Sequence, residues 1–303
     1  MARQILTGKK FAWHHFSALE ENDFEILKRE FKFHPLDFDD LRNPNELPKL
    51  DVYKYYVFSI LAIPTIKSKS ERVHKSDLAI FVGSDYIVTV TRNQIESIDR
   101  FFARAKRSAG LKRELFGKST GYFVYRLLDY AFRDSRTILQ DLVKDVQGIE
   151  DKVYSHHNKA TTMSLSLLRR DILFLRHLLD PQRLIVGQFI NAQKTFIPKS
   201  LDVYFDDTKD TLDGMWKVSE NLNNIIDGLF EVNEAFLSHR TNEIIRILTI
   251  ISVILMPPTL ISSYYGMNIS SLPFVHSIEI VTTIIVGSLL VALGIIFYID
   301  RKR

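Results

Sequence analysis

The sequence contains no cysteine among its 303 residues. Disulfide bonds, thiolate metal sites and cysteine nucleophiles are therefore excluded. It also offers no glycine-rich phosphate loop, no nucleophile elbow and no convergent set of acid, base and nucleophile, so an enzyme is the least supported class. The formal net charge of +4 is too small to indicate nucleic-acid binding. The first residues, MARQILTGKKFAWHHF, lack the apolar core of a signal peptide, so we expect the N-terminal part to stay in the cytoplasm.

Two long apolar runs stand near the C-terminus, at residues 247–265 and 278–299. A membrane-spanning helix needs about 20 apolar residues, so both runs qualify as spans. The connecting residues 266–277 contain no Lys or Arg, whereas Arg240 and Arg246 precede the hairpin and the basic tail 300–303 follows it. By the positive-inside rule, the sequence predicts a two-helix membrane protein with both termini in the cytoplasm.

The first apolar run carries a polar stripe: Thr249, Ser252, Met256, Thr259 and Ser263. Their spacing of three and four residues places them on one face of a helix. Two interpretations remain open at this point, a contact between packed helices and the wall of a pore. A second small or polar stripe precedes it and continues into it: Asn221, Asn224, Gly228, Glu231, Ala235, Ser238 and Asn242. We therefore predict one long stalk and pore-lining helix over residues 207–265.

The rest of the chain predicts an α+β cytoplasmic domain over residues 1–100, followed by a helical segment over 101–206. Four runs are rich in β-branched and aromatic residues: FAWHHF, YKYYVFSILAIP, SDLAIFVG and SDYIVTVTR. Gly83, Ser84 and Asp85 predict a hairpin turn between the last two. ALEENDFEILKREFKF has helical periodicity, and a later helix is expected to break at Pro181. A coiled-coil type stripe is predicted in the long helix: Met215, Val218, Leu222, Ile225, Leu229, Val232 and Phe236.

The end of the first apolar run, residues 265–268 (YGMN), resembles the motif of the CorA family of divalent-cation transporters. Residues 242–259 resemble the first spanning helix of that family, and residues 204–207 (YFDD) resemble the start of its long helix. Residues 168–176 resemble the helix before it. The resemblance is specific over about the last hundred residues and looser in the N-terminal part.

The resemblance implies a homopentameric channel in the plasma (inner) membrane, with a funnel-shaped cytoplasmic domain and two membrane helices per subunit. Mg²⁺ is the usual ion, and Co²⁺ and Ni²⁺ are sometimes carried. Gly266, Met267 and Asn268 would form the selectivity filter, where a ring of Asn268 carbonyl oxygens holds the water shell that Mg²⁺ gives up reluctantly. The implied pore-lining residues are Asn242, Ile245, Leu248, Thr249, Ser252, Met256, Thr259 and Ser263. Among these, the apolar members would form a constriction that gates by dewetting.

The resemblance also implies a regulatory site in which cytoplasmic Mg²⁺ bridges neighbouring subunits at Asp207, with Asp206 and Asp210 close by. Bound metal would neutralise the clustered carboxylates and close the pore. The alternative for each of these residues is an exposed acid near a helix N-terminus, favoured by the helix dipole, and it is the preferred interpretation of Asp210.

The loop after the motif departs from the best-known members, because residues 269–274 (ISSLPF) lack their Met-Pro-Glu-Leu sequence. The acidic collar at the mouth is then missing or is supplied elsewhere, which leaves the ion open. Met267 keeps the typical form, whereas the zinc branch of the family often varies this residue. Mg²⁺ is therefore preferred, a Zn²⁺ transporter is one alternative, and a membrane-anchored signalling or scaffold protein is another.

Overall fold

The computed structural model describes residues 3–43, 47–66, 73–155, 159–267, 273 and 277–301. The chain divides into two compact units, Met1–Phe230 and Glu231–Arg303, and each is described by itself. The division falls inside one continuous helix. The boundaries expected at residues 100 and 206 remain predictions.

The first unit is built on a six-stranded sheet in the order β1-β2-β6-β5-β4-β3. Its strands are β1 Arg3–Thr7, β2 Ala12–Phe16, β3 Lys49–Val52, β4 Val57–Thr65, β5 His74–Val82 and β6 Tyr86–Thr91. Only the pairing of β2 with β6 is parallel; the other pairs are antiparallel. The central strands β4 and β6 are buried almost throughout, as expected where helices cover both faces of a sheet.

The helices α1 (Glu21–Glu30) and α2 (Pro35–Arg42) share an aromatic core with the sheet. Phe33 stacks on Phe81 with ring centroids 3.9 Å apart, and Phe58 stacks on Phe81 at 4.5 Å. Helix α2 begins at a proline, where the missing N–H costs no hydrogen bond, and the His34 side chain accepts from the Leu36 amide. Phe24 of α1 and Phe38 of α2 are buried in the same core, and this burial holds the two short helices on the sheet.

Further helices follow in the sequence. They are α3 Glu96–Arg107, α4 Ala109–Gly117, α5 Thr120–Ser155, α6 Lys159–Asn191, α7 Asp202–Tyr265 and α8 Ile278–Arg301. Trp13 of β2 is fully buried and packs against Phe102 of α3 at 4.7 Å and Phe123 of α5 at 4.8 Å. Because β4 is in contact with α5 and α6 as well, these helices and the sheet form one core.

Several predicted elements are confirmed. The four β-type runs form β2, β4, β5 and β6, the turn at residues 83–85 joins β5 to β6, and α1 has the predicted helical pattern. The long helix is continuous and begins at Asp202, five residues before the predicted start. Strand β1 and helix α2 were missed, since both are short.

The predicted break at Pro181 is wrong. Pro181 lies inside α6, which continues to Asn191. Its ring removes one backbone hydrogen bond, but Leu179, Val186 and Phe189 on either side are fully buried. Tertiary packing of this apolar face stabilises the helix across Pro181, although the low helix propensity of proline alone would end it there.

The coiled-coil type stripe predicted for α7 coincides only in part with the residues that are buried. Met215, Leu222 and Leu229 are buried, but Val218 and Ile225 are 41% and 37% exposed. In the first unit, the buried positions recur at steps of three and four: Phe205, Thr208, Leu212, Met215, Ser219, Leu222, Ile226 and Leu229. The seam therefore accepts two hydroxyl residues, and Val218 and Ile225 remain on the surface of the single chain.

Candidate functional site

Most apolar residues of the second unit are exposed or half-buried. Helices α7 and α8 each contain a stretch that is long and apolar enough to cross a membrane, and the most apolar windows of the two helices are 0% and 6% buried. Water-soluble proteins rarely expose a continuous apolar surface of this extent. The core helix of a water-soluble protein would be mostly buried, so the exposure favours a lipid environment for these helices.

Half-buried residues mark one face of each helix in this unit. On α7 they are Ile250, Ile254, Pro257, Pro258, Ile261 and Tyr265, and on α8 they are Val281, Ile285, Ser288, Leu289 and Ile296, with Ala292 buried on the same face. Both sets recur at helical spacing, as expected of faces that pack in a hairpin. At 3.6 residues per turn, the α7 set lies opposite the polar stripe.

The stripe residues themselves are exposed from Asn242 to Ser263. Three of their hydroxyl groups donate to the carbonyl oxygen four residues earlier: Thr249 to Ile245 at 2.8 Å, Ser252 to Leu248 at 2.9 Å, and Thr259 to Leu255 at 2.7 Å. The proton is thereby used within the helix, and the oxygen lone pairs remain available on the exposed face. Such a face can accept hydrogen bonds from water.

The apolar members of the predicted pore lining are exposed too: Ile245 by 54%, Leu248 by 59% and Met256 by 72%. Met256 is followed by Pro257 and Pro258 inside the helix. Two adjacent prolines leave two backbone carbonyl groups without their usual amide donors.

The helix ends at Tyr265, where the predicted filter begins. The Gly266 amide donates to the Ser262 carbonyl at 2.9 Å, and the Met267 amide donates to the Tyr264 carbonyl at 3.4 Å. Gly266 and Met267 are therefore tied to the last turn of α7. Asn268 lies outside the described residues.

The predicted regulatory acids Asp206, Asp207 and Asp210 are exposed near the start of α7. None of the three forms an ion pair with another described residue. Asp207 is near enough to α5 to act on two of its side chains. The pKa of Arg133 is raised, mainly by its hydrogen bond to Asp129, and Asp207 adds to the shift. The pKa of Tyr125 is raised first by burial and then by Asp129, with a further contribution from Asp207.

A carboxylate cluster that the sequence analysis missed occurs elsewhere in the first unit, where Asp37, Asp40 and Asp51 bring their oxygen atoms within 4.8 Å of one another. Asp37 is fully buried and accepts from the Tyr53 and Tyr56 hydroxyls at 2.7 and 2.6 Å. Burial raises the pKa of this carboxyl group.

The positive charge beside this cluster comes from a lysine side chain. The Lys49 ammonium group is 2.5 Å from Asp40 and 3.4 Å from Asp51. Lysine therefore supplies the compensating charge, and the cluster is explained as part of the folded core. The acidic run LDFDDLR was its only signal in the sequence.

The fold and the exposed helical hairpin define an integral membrane protein with a large α/β unit. A family model described as "CorA-like Mg²⁺ transporter protein" matches residues 8–303, and the chain belongs to this family. It is a divalent-cation transporter of the CorA family and not an enzyme.

Individual proteins agree with this assignment. The cobalt/magnesium transport protein CorA of Thermotoga maritima is 26% identical over 243 residues, which cover 80% of this chain and 68% of that protein. The solved CorA magnesium transporter of Methanocaldococcus jannaschii superposes with a TM-score of 0.81 at 17% identity, over 96% of this chain and 92% of the other. The ZntB cytoplasmic domain of Vibrio parahaemolyticus also has this fold, with a TM-score of 0.62 at 10% identity over 78% and 90% of the two chains.

Proposed function

We propose that five copies of this chain form a channel for the passive influx of hydrated Mg²⁺ through the plasma (inner) membrane. The observation that carries the proposal is the exposed polar face of α7, which runs from Asn242 to Ser263 and ends beside the Gly266–Met267 turn. Two helices cannot enclose a water-filled path, so a pore needs several subunits arranged in a ring. In that ring, α7 lines the path and α8 faces lipid, with both termini in the cytoplasm.

The ion is assigned from the chemistry of the path. Neutral hydroxyl and carbonyl oxygen atoms bind the water shell of Mg²⁺ without removing it, and weak binding lets the ion leave again. Asn268 is the proposed filter residue together with Gly266 and Met267. Names of relatives that include cobalt and magnesium support this ion class.

Gating is proposed to follow cytoplasmic Mg²⁺ bound between subunits at Asp207, with Asp206 and Asp210 as nearby carboxylates. The exposure of all three side chains in the single chain supports this proposal, because a metal shared by two subunits needs accessible ligands. A divalent cation takes six or more oxygen ligands, so a carboxylate from the neighbouring subunit would complete the site.

Ion flux into liposomes that contain the purified protein tests the proposal. We expect Mg²⁺ uptake down its gradient, with Co²⁺ and Ni²⁺ as slower substrates. Asn268→Ala should reduce Mg²⁺ uptake at least tenfold without changing the oligomeric mass, because the hydrogen bonds to the hydrated ion are lost. Asn191→Ala, the same substitution at the exposed end of α6, is the matched control and should transport normally.

The same assay separates the alternatives. Zn²⁺ flux that follows a pH gradient, in the absence of Mg²⁺ flux, would replace the Mg²⁺ channel with a zinc transporter. A protein that moves none of these ions and does not rescue a Mg²⁺-auxotrophic strain would be a membrane-anchored signalling or scaffold protein.

A further inference from the structure

A surface cleft in the first unit has no part in the proposed ion path. It has a volume of about 360 Å³ and is bordered by α3, α4 and α5. Three arginine side chains line it, Arg104 from α3 and Arg126 and Arg133 from α5. Phe101 and Tyr130, whose rings lie 5.0 Å apart, form an aromatic part of the wall.

Two of the three guanidinium groups are held in place by a carboxylate. Asp129 is only 7% exposed; its Oδ1 accepts from Arg133 Nε at 2.7 Å, and its Oδ2 lies 3.5 Å from Arg126 Nη1. Arg126 Nε is also 3.2 Å from Glu114. A buried acid that orients two arginines prepares donors for a ligand, because their geometry is set before binding.

The third guanidinium group has no carboxylate partner among the described residues. Arg104 is exposed and forms no ion pair with any residue in the described part of the chain. The other acid that lines the cleft, Asp134, is bound by Arg100 at 2.7 Å. The three carboxylates at the cleft, Asp129, Asp134 and Glu114, are thus matched by Arg133, Arg100 and Arg126, and the charge of Arg104 is left over.

The surroundings reinforce this imbalance. Residues 96–136 contain ten Lys and Arg but five Asp and Glu, whereas the whole chain has a net charge of only +4. The excess positive charge of the protein is thus concentrated in the three helices that form the cleft. A concentration of one sign around a concave site raises the local concentration of the opposite ion.

We propose that this cleft binds a phosphate-bearing anion. Guanidinium groups match phosphate oxygens with paired hydrogen bonds, and a multiply charged phosphate satisfies several arginines at once. A single carboxylate would leave part of the positive charge uncompensated. The phosphate group belongs either to a soluble compound or to a lipid headgroup.

Calorimetric titration of the full-length protein in detergent tests the site. The probes are inorganic triphosphate and a short-chain, water-soluble phosphatidylglycerol, each in buffer free of divalent cations because triphosphate chelates Mg²⁺. Arg104→Gln should weaken binding about tenfold, the effect of losing one charge-assisted hydrogen bond. Arg107→Gln is the matched control, since Arg107 is exposed on the same helix but does not line the cleft.

The two probes distinguish a soluble phosphate compound from a lipid headgroup. Triphosphate binding that weakens in Arg104→Gln but not in Arg107→Gln assigns the site to a soluble phosphate, and the same pattern with the lipid probe assigns it to a headgroup. Binding of neither probe overturns the proposal. Equal weakening by both substitutions also overturns it, because it would show attraction to general positive charge and not a site.

Discussion

At the scale of single residues, the buried polar network of His15 shows how the sheet is tied to α3. Trp13 Nε1 donates to Thr89 Oγ1 at 2.9 Å, and Thr89 lies 2.8 Å from His15 Nδ1. His15 Nε2 lies 3.0 Å from Asp99 of α3. With the proton on Nε2, each polar group in this chain has a partner, which is what a fully buried histidine requires.

This network predicts an acid-sensitive contribution to stability. Burial opposes the ionisation of Asp99, but hydrogen bonds from His15, Gln94 and Ser17 outweigh it, so its pKa lies below the usual value. The ionised carboxylate therefore stabilises the fold above the unfolded pKa of about 4, and this contribution is lost as the pH falls through the folded pKa. Asp99→Asn should lower the free energy of unfolding by about 1–3 kcal/mol at pH 7 and flatten its acid dependence.

Fluorescence of Trp13 measures this effect, in a Trp216→Phe background that removes the other tryptophan. Asp39→Asn, at an exposed acid without an ion pair to described residues, is the control and should unfold like the parent protein. An acid dependence that is the same in Asp99→Asn and the parent would show that Asp99 does not carry it.

The proposed metal sensor gives a second test at this scale. Asp207→Ala should weaken inhibition of Mg²⁺ flux by internal Mg²⁺ at least tenfold, because a carboxylate ligand is removed. Asp151→Ala, which removes an exposed carboxylate from α5 outside the proposed site, should change inhibition little. Unchanged inhibition in Asp207→Ala would mean that the sensor lies elsewhere.

The sequence allowed us to predict candidate site residues that are close together in the chain, but not contacts between residues far apart in it. The proposed filter motif is a continuous segment and the polar stripe has the period of one helix, so both could be recognised from sequence spacing alone. The influence of Asp207 on Arg133 could not be recognised in this way, because these residues are 74 positions apart in the sequence and approach each other only when α5 and α7 fold. The Arg104 cleft was missed for the same reason.

At the scale of elements, two glycines of α5 are in contrasting environments. A Cβ atom on Gly121 would lie 2.7 Å from the Phe196 carbonyl oxygen and 3.0 Å from the Ile197 Cα. Gly121 also donates its amide to Phe196 at 3.0 Å. Gly148, near the other end of α5, has nothing within 4 Å of the same position. Only Gly121 is needed for close approach of another backbone segment.

Alanine substitutions should therefore have opposite effects. Gly121→Ala should destabilise the protein by about 1–3 kcal/mol, because the 196–197 backbone must move away. Gly148→Ala should stabilise it by up to about 1 kcal/mol through helix propensity. Thermal unfolding of the full-length protein in detergent checks both. A neutral Gly121→Ala would show that the segment after α6 yields easily.

Element prediction failed where packing overrides local preference. Pro181 did not end α6, because buried residues on both sides hold the helix. The seam of α7 runs through Thr208 and Ser219, which an apolar pattern does not select. The continuation of α6 through Pro181 and the buried hydroxyl residues of α7 both depend on the elements that pack against these helices. Local sequence patterns do not identify those packing partners.

At the scale of the whole molecule, the single chain is incomplete as a channel. Its polar stripe, its apolar hairpin and the α7 residues Val218 and Ile225 are all exposed. In the proposed ring, lipid covers the apolar hairpin, the polar stripe faces the water of the pore, and neighbouring subunits cover Val218 and Ile225. The fold class and the family were predictable from the sequence, because the membrane spans and the YGMN motif are continuous segments.

The most direct test of the account asks whether the polar stripe of α7 faces water. The protein has no cysteine, so each single Thr249→Cys, Ser252→Cys, Thr259→Cys or Ser263→Cys variant carries one thiol. Ile247→Cys, Ile251→Cys and Ile254→Cys place the thiol on other faces of the helix as controls. The measurement is Mg²⁺ flux through liposomes before and after a charged, water-soluble thiol reagent.

We predict that the reagent blocks flux in the stripe variants and leaves the control variants unchanged, a pattern with helical period. Equal block on all faces, or no block at any stripe position, would contradict the assignment of this face of α7 to the wall of a water-filled pore.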